Sequence, residues 1–240
     1  MGIHDKTAAF RLGLGEGFAM PGLVLFCSFL GFGSLVRGSG IGLTAGMVSS
    51  LTVWGLPGQI AMIELYGVGA SLAVNSMAVW LTNTRLMPMV ITLVPHLTRA
   101  RPGWRHYLIA HLIALTTWAV ALNRVPNLPP EQRFSWFFGF SVVLWGLSLI
   151  GTAAGFVLSG TLPEPVVLGL VFINPCYFLL LFLVEFRPRS RVLALALGGL
   201  AGPLLHLVDP DWGLLVTGLG GGTAAFLLDR LLRRREACHG

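Results

Sequence analysis

Arg85 stands in the middle of "VWLTNTRLMPMV", Val79 to Val90, an otherwise apolar run, two residues after Asn83 and three before Pro88. A guanidinium is a planar fork of donors suited to bidentate recognition of a carboxylate. Holding a charge at mid-membrane costs at least about 2.5–3.5 kcal/mol, so such residues turn towards a protein interior, a partner charge or a water-filled cavity. Asn83 can hydrogen-bond a ligand or orient the arginine. Upstream, "WGLPGQ", Trp54 to Gln59, joins the helix breaker Pro57 to the permissive Gly55 and Gly58. Gln59 adds an amide that both donates and accepts. Broken backbone at membrane depth is tolerated only where protein or a water-filled cavity surrounds it. The break and the nearby Asn/Arg pair together predict a binding site.

Other residues carry weaker signals. Glu64 can approach Arg85 if their segments form a hairpin, and the arginine is then part of a structural ion pair. Glu16, at the entrance of the first apolar run, either meets headgroups or takes part in coupling. Ser49, Ser50 and Thr52 line a cavity or, by default, bond back to their own helix. Met62 and Met87 offer adaptable apolar walls. "FINPCYF", Phe172 to Phe178, repeats the theme of a polar residue beside a proline with Asn174 and Pro175. His111 and His206 read as hydrogen-bonded packing residues. His106 and His111 lack a third ligand, which argues against a metal site. Without a Walker A motif, a Gly-x-Ser-x-Gly elbow or an HExxH motif, the chain reads as a non-enzyme with no cofactor and no nucleotide engine of its own.

The elements that must position these residues are membrane helices. The 240 residues have a mean hydropathy of +0.78 and are 55% hydrophobic and 11% charged, against about 25% charged in soluble domains. The 31 glycines suit helices packed closely in a bilayer. The net charge of +6 is spread in short clusters between apolar runs, as positive-inside loops require, and does not indicate nucleic-acid binding. Cys27, Cys176 and Cys238 form no CxxC pair and suggest neither a disulfide framework nor zinc.

A crossing needs about 20 apolar residues. That length predicts an all-α polytopic bundle of seven or eight spans with interrupted helices: Phe18–Val36, Ile41–Tyr66, Ala70–Leu97, Tyr107–Leu122, Phe134–Leu158, Val166–Val184, Val192–Val208 and Trp212–Leu228. Residues 1–17 form a cytoplasmic N-terminal segment, 18–228 the transmembrane domain and 229–240 a basic tail. Eight spans place both termini, "FRPRSRV" and the tail in the cytoplasm. "TRARPGWRH" then falls outside with three arginines, unless an earlier segment is re-entrant. Ser28–Gly40 aligns without gaps on Ser148–Gly160, and a repeat would divide the chain into halves at about 18–123 and 134–228. Matching interrupted helices in two halves are a transporter signature.

Over its first hundred residues the chain resembles the AzlC family of bacterial permeases for branched-chain amino-acid export. The likeness rests on "GEGFAMPGLVLFCSFLGFGSL", "GSGIGLTAGMVSSLTVWGLPGQIAMIEL" and "VWLTNTRLMPM". Ser49 or Ser50, Gly58-Gln59 and Asn83-Thr84-Arg85 match the family's pattern in order and spacing. Where members often carry an acidic pair, this chain has Thr116 and Thr117, which puts proton coupling through those acids in doubt. The resemblance implies export of hydrophobic amino acids across the bacterial cytoplasmic membrane with a small, separately encoded AzlD-like subunit. On that reading Arg85 and Asn83 receive the carboxylate, the break at Pro57 with Gln59 receives the amino end, and Met62 and Met87 accept the side chain. A carrier or channel for a small anion, and a non-transporting assembly subunit, remain as alternatives.

Overall fold

The structure is a computed structural model that describes residues 6–98, 103–161, 163–184, 197–201, 204, 220, 221, 223, 224 and 227. In chain order its helices are α1 (Lys6–Gly17), α2 (Met20–Gly38), α3 (Leu43–Thr52), α4 (Leu56–Gly67), α5 (Leu72–Asn83), α6 (Leu86–Leu97), α7 (Trp104–His111), α8 (Leu115–Arg124), α9 (Pro130–Leu158) and α10 (Glu164–Val184), with a 3-10 turn at Val125–Asn127. No strand occurs among the described residues. The chain divides into a unit of residues 1–176 and one of residues 177–240. In the second unit a helical turn is described at 197–201, and Gly221 lies against Gly198. The expected spans Val192–Val208 and Trp212–Leu228 lie largely outside the described residues, as do His206, the "FRPRSRV" loop and the basic tail.

In the first unit, glycines set how closely the long helices approach. α1 and then α2 lie along α9, all running in the same direction. Gly13 sits against the backbone at Trp136 and Phe140, Gly17 against Val143 and Gly22 against Leu147. Further along, Gly151 meets Phe26 and Gly155 meets Leu30. A Cβ on Gly151 would stand 2.7 Å from the Phe26 carbonyl oxygen, and one on Gly155 would collide with the Leu30 backbone. Backbone cannot move aside as a flexible side chain can. Gly155→Val should therefore cost about 1–3 kcal/mol of stability, the usual range for overpacking. Gly146→Ala on the same helix faces open space and should be nearly neutral. Thermal unfolding of both variants in one detergent checks this.

The path of the remaining helices follows from a few contacts. α3 runs against the direction of α9: Gly46 packs on Val36, Ser50 bonds Thr152, and Trp54 just beyond α3 bonds Ser148. It therefore enters from the Arg37 end and stops near the middle of α9. α4 and α5 are antiparallel, with Asn83 against Gly55 and Gly58 and Asn75 bonded to Met62. α5 and α6 bend by only 42°, so α6 continues in the direction of α5. It ends beside α9's first turn, where Arg133 donates to the His96 carbonyl at 3.3 Å. α5 thus descends from the Arg37 end, and α4 must have carried the chain back there.

The fourth segment does the opposite. α7 starts at the Lys6 end, where Trp104 shares a cavity wall with Lys6 and Pro130. It climbs until His111 reaches Leu51. α8 then descends to Arg124, bonded to Glu16, and the chain enters α9 six residues later. α3–α4 and α7–α8 are thus two hairpins entering from opposite ends with their tips together.

Among the described residues α2 and α9 are each long and apolar enough to cross a membrane, with α5–α6 a third as one bent span. The expected second and fourth spans, Ile41–Tyr66 and Tyr107–Leu122, are not continuous helices. Each is two short arms, because the hydropathy of a run does not report a reversal at its middle.

Candidate functional site

Each of the three central segments breaks where its backbone hydrogen bonding fails locally. Pro57 has no N–H for the Val53 carbonyl and its ring clashes there, so α3 cannot continue; at the second residue of α4 the same proline is harmless. Trp54 takes φ +41°, a left-handed conformation that a bulky residue rarely adopts. Full burial of its ring and a 3.0 Å bond from Nε1 to Ser148 hold it there. Pro88 likewise has no N–H for the Thr84 carbonyl, which accepts from Met87 instead at 3.0 Å. α5 and α6, 12 residues each, are about 18 Å long at 1.5 Å per residue, so the break at Asn83–Arg85 lies midway. The third break, at 112–114, has no proline. Thr117, fully buried, accepts from the Ala114 N–H at 2.8 Å and donates towards the Leu112 and Ala114 carbonyls.

The breaks meet. Asn83's side chain lies against Gly55 and Gly58; a Cβ on Gly58 would be 2.6 Å from its Nδ2. His111 Nε2 lies 3.1 Å from the Leu51 carbonyl oxygen at the end of α3. A carbonyl only accepts, so that nitrogen carries the proton. His111 is thus hydrogen-bonded, but it is exposed and joins two hairpin tips.

A relay of hydroxyls anchors the first break to α9 and sets the orientation of Gln59. Ser148 Oγ donates to the Leu144 carbonyl (2.8 Å) and Thr152 Oγ1 to the Ser148 carbonyl (2.9 Å). Thr152 has then spent its proton, so the 2.9 Å contact with Ser50 is donated by Ser50. Ser50 in turn can only accept from Gln59 Nε2, at 3.2 Å, while Ser49 accepts from the same nitrogen at 2.9 Å. Gln59 is wholly buried, and its Oε1 is turned away from the serines with no donor among the described residues. Asn83 Oδ1 and Asn75 Oδ1 are also buried acceptors without a donor.

Such an acceptor costs about 1–3 kcal/mol. Ser49 and Ser50 thus bond across to Gln59 and α9; only Thr52 bonds back to its own helix, at the Val48 carbonyl.

The charged residues separate. Arg85 is exposed and makes no hydrogen bond or ion pair among the described residues. Glu64 is likewise exposed and unpaired, so the pairing with Arg85 considered as an alternative does not occur in this structure. Glu16 pairs elsewhere, with Arg124 at 2.6 Å, and accepts from Trp136 Nε1 at 2.9 Å. This clamps α1 to α8 and α9 away from the breaks. Met62 is half-buried, Met87 is 63% exposed, and Asn174 lies on α10 with its side chain outside the described residues.

Sequence reading missed Asn75, Ser148, Thr152 and the bridging role of His111. Ser141, Ser148 and Thr152 are spaced seven and four residues apart, so a polar stripe on one face of α9 was available as a signal.

The family model of the AzlC protein matches residues 22–162, more than half of the chain, and takes in all three breaks and the relay. The chain belongs to the AzlC family. No curated protein and no solved structure matches it. In this AzlC-family chain Thr116 and Thr117 stand at the third break, where Thr117 closes the start of α8 through backbone bonds.

Proposed function

We propose that this AzlC-family protein exports branched-chain or similar apolar amino acids across the bacterial cytoplasmic membrane, together with a small AzlD-like subunit. The observation that supports it best is the chemistry left unspent where the breaks meet. Among the described residues Gln59 Oε1 and Asn83 Oδ1 are acceptors without donors, and Arg85, at the second break, is an exposed donor fork without an acceptor. A zwitterion supplies both halves: its ammonium satisfies the two amide oxygens and its carboxylate the guanidinium. Asn83 then serves the amino end, in place of the carboxylate role drawn from the resemblance. An inorganic anion leaves both amide oxygens unsatisfied.

The folded path also supports an orientation with the N-terminus in the cytoplasm. With α3–α4 turning back, α6 ends and α7 starts at the Lys6 end, so the described ends of "TRARPGWRH", Thr98 and Gly103–Trp104, share one face with Lys6 and Arg11. All three then obey the positive-inside rule with that face in the cytoplasm. The break carrying Arg85 lies on an exposed apolar face that includes Met77, Trp80, Met87 and Ile91. An arginine at that depth requires cover from protein or water, which supports a partner subunit docked over α5–α6.

The test compares efflux of labelled leucine with that of its 2-oxo analogue, which keeps the carboxylate and side chain but lacks the ammonium. Leucine alone should be exported. Asn83→Ala should lower leucine efflux about tenfold, the factor that corresponds to about 1.4 kcal/mol. Equal export of both compounds would remove the ammonium site.

A further inference from the structure

We infer that the Lys6 end of the bundle carries a second, separate site, a pocket for the phosphate headgroup of an anionic phospholipid. It rests on the membrane reading above but not on the transport reaction. A cavity of about 540 Å³ opens between the start of α1, the end of α6 and the first turns of α7 and α9. Its polar lining includes Lys6, His96, Arg133 and Glu131, and its apolar wall includes Leu108 and Phe138.

The charges point to a phosphate. Lys6 makes no hydrogen bond or ion pair among the described residues. Arg133 is held rigid by donating Nε to the Leu128 carbonyl at 3.0 Å and Nη1 to the His96 carbonyl at 3.3 Å, which leaves Nη2 uncommitted. His96 spends Nδ1 on the Thr92 carbonyl and keeps Nε2. Glu131 is the opposing charge, and it is itself engaged.

Depth points to a lipid. Trp104, on the cavity wall, and Tyr107, one turn along, are 71% and 81% exposed. Exposed Trp and Tyr mark the level of the headgroups. Basic pockets between helices at the cytoplasmic face suit anionic headgroups, and the apolar wall continues inward where the first acyl carbons lie.

The experiment is thermal unfolding of the purified full-length chain in neutral detergent, titrated separately with phosphatidylglycerol, phosphatidylcholine, inorganic phosphate and leucine. Phosphatidylglycerol should raise Tm by several degrees and phosphatidylcholine should not. Lys6→Gln should weaken the phosphatidylglycerol response at least about fivefold. Leu108→Trp, which fills the cavity without touching a charge, should abolish it, and Arg11→Gln, outside the cavity, should leave it intact.

Equal responses to the two lipids, or an unchanged Lys6→Gln response, would overturn the site. A rise with inorganic phosphate alone that Lys6→Gln removes would make the occupant free phosphate. A leucine response lost in Lys6→Gln would make the cavity a vestibule for substrate, and either result overturns the lipid assignment. None of these arms measures transport, so a negative result here leaves the central site standing, and loss of that site leaves this one.

Discussion

Replacing Arg85 with glutamine lowers leucine efflux about thirtyfold or more, at matched membrane levels and with the small subunit present. Glutamine keeps hydrogen-bonding capacity but removes the charge and the fork. Removing one member of a desolvated charge pair costs 2–5 kcal/mol or more, and about 2 kcal/mol corresponds to that factor. The measurement is loss of preloaded, labelled leucine from cells expressing the chain with and without an AzlD-like partner. Full efflux from Arg85→Gln sinks the carboxylate role. A structural explanation has its own control. Were Arg85 needed only to neutralise Glu64, the double change Glu64→Ala, Arg85→Ala would recover what either single change loses. The two side chains do not pair in the folded chain, so no recovery is expected. Ser50→Ala should act less severely. It takes one acceptor from Gln59 and the donor from Thr152, while Ser49 still holds Gln59 Nε2.

Cysteines introduced at Val68 and Gly103 label from opposite sides of the membrane, with Gly103→Cys on the side of the N-terminus. Both positions are exposed and lie between helices, Val68 after α4 and Gly103 before α7. If Ile41–Tyr66 crossed the membrane, the two assignments would exchange, with Val68 on the N-terminal side and Gly103 opposite. Each position alone therefore distinguishes a hairpin from a crossing, and the result is a sidedness rather than a graded effect. A membrane-impermeant maleimide applied to intact cells and to inverted vesicles reads it, in a background without the native cysteines. Labelling of Gly103→Cys from outside intact cells, with the N-terminus inside, would falsify the paired-hairpin path.

Much of this was legible in the residues, for a local reason. A proline without an N–H interrupts a helix whatever surrounds it, so the break at Pro57 could be read directly. Pro88 carried the same signal three residues after Arg85, although the third segment read as one continuous span. The membrane helices themselves followed from apolar length, and Phe18–Val36 and Phe134–Leu158 correspond closely to α2 and α9. The order and spacing of Ser49-Ser50, Gly58-Gln59 and Asn83-Thr84-Arg85, within the three quoted segments, pointed to the family.

What the tertiary structure decided is direction and pairing. Hydropathy cannot tell a crossing from two arms of 8–12 residues that turn back, since both need the same apolar length in total; only α5's position against α4 and α6's end beside Arg133 determined it. The partners of Ser50 and Trp54 lie 102 and 94 residues away on α9, beyond the reach of any local pattern. The orientation of Gln59 depends on which carbonyl consumes each hydroxyl proton along α9, which no residue type announces. The separation of Glu16 and Glu64 from Arg85 has the same origin. Charge types are written in the sequence, but whether two charges meet depends on the path of the backbone between them.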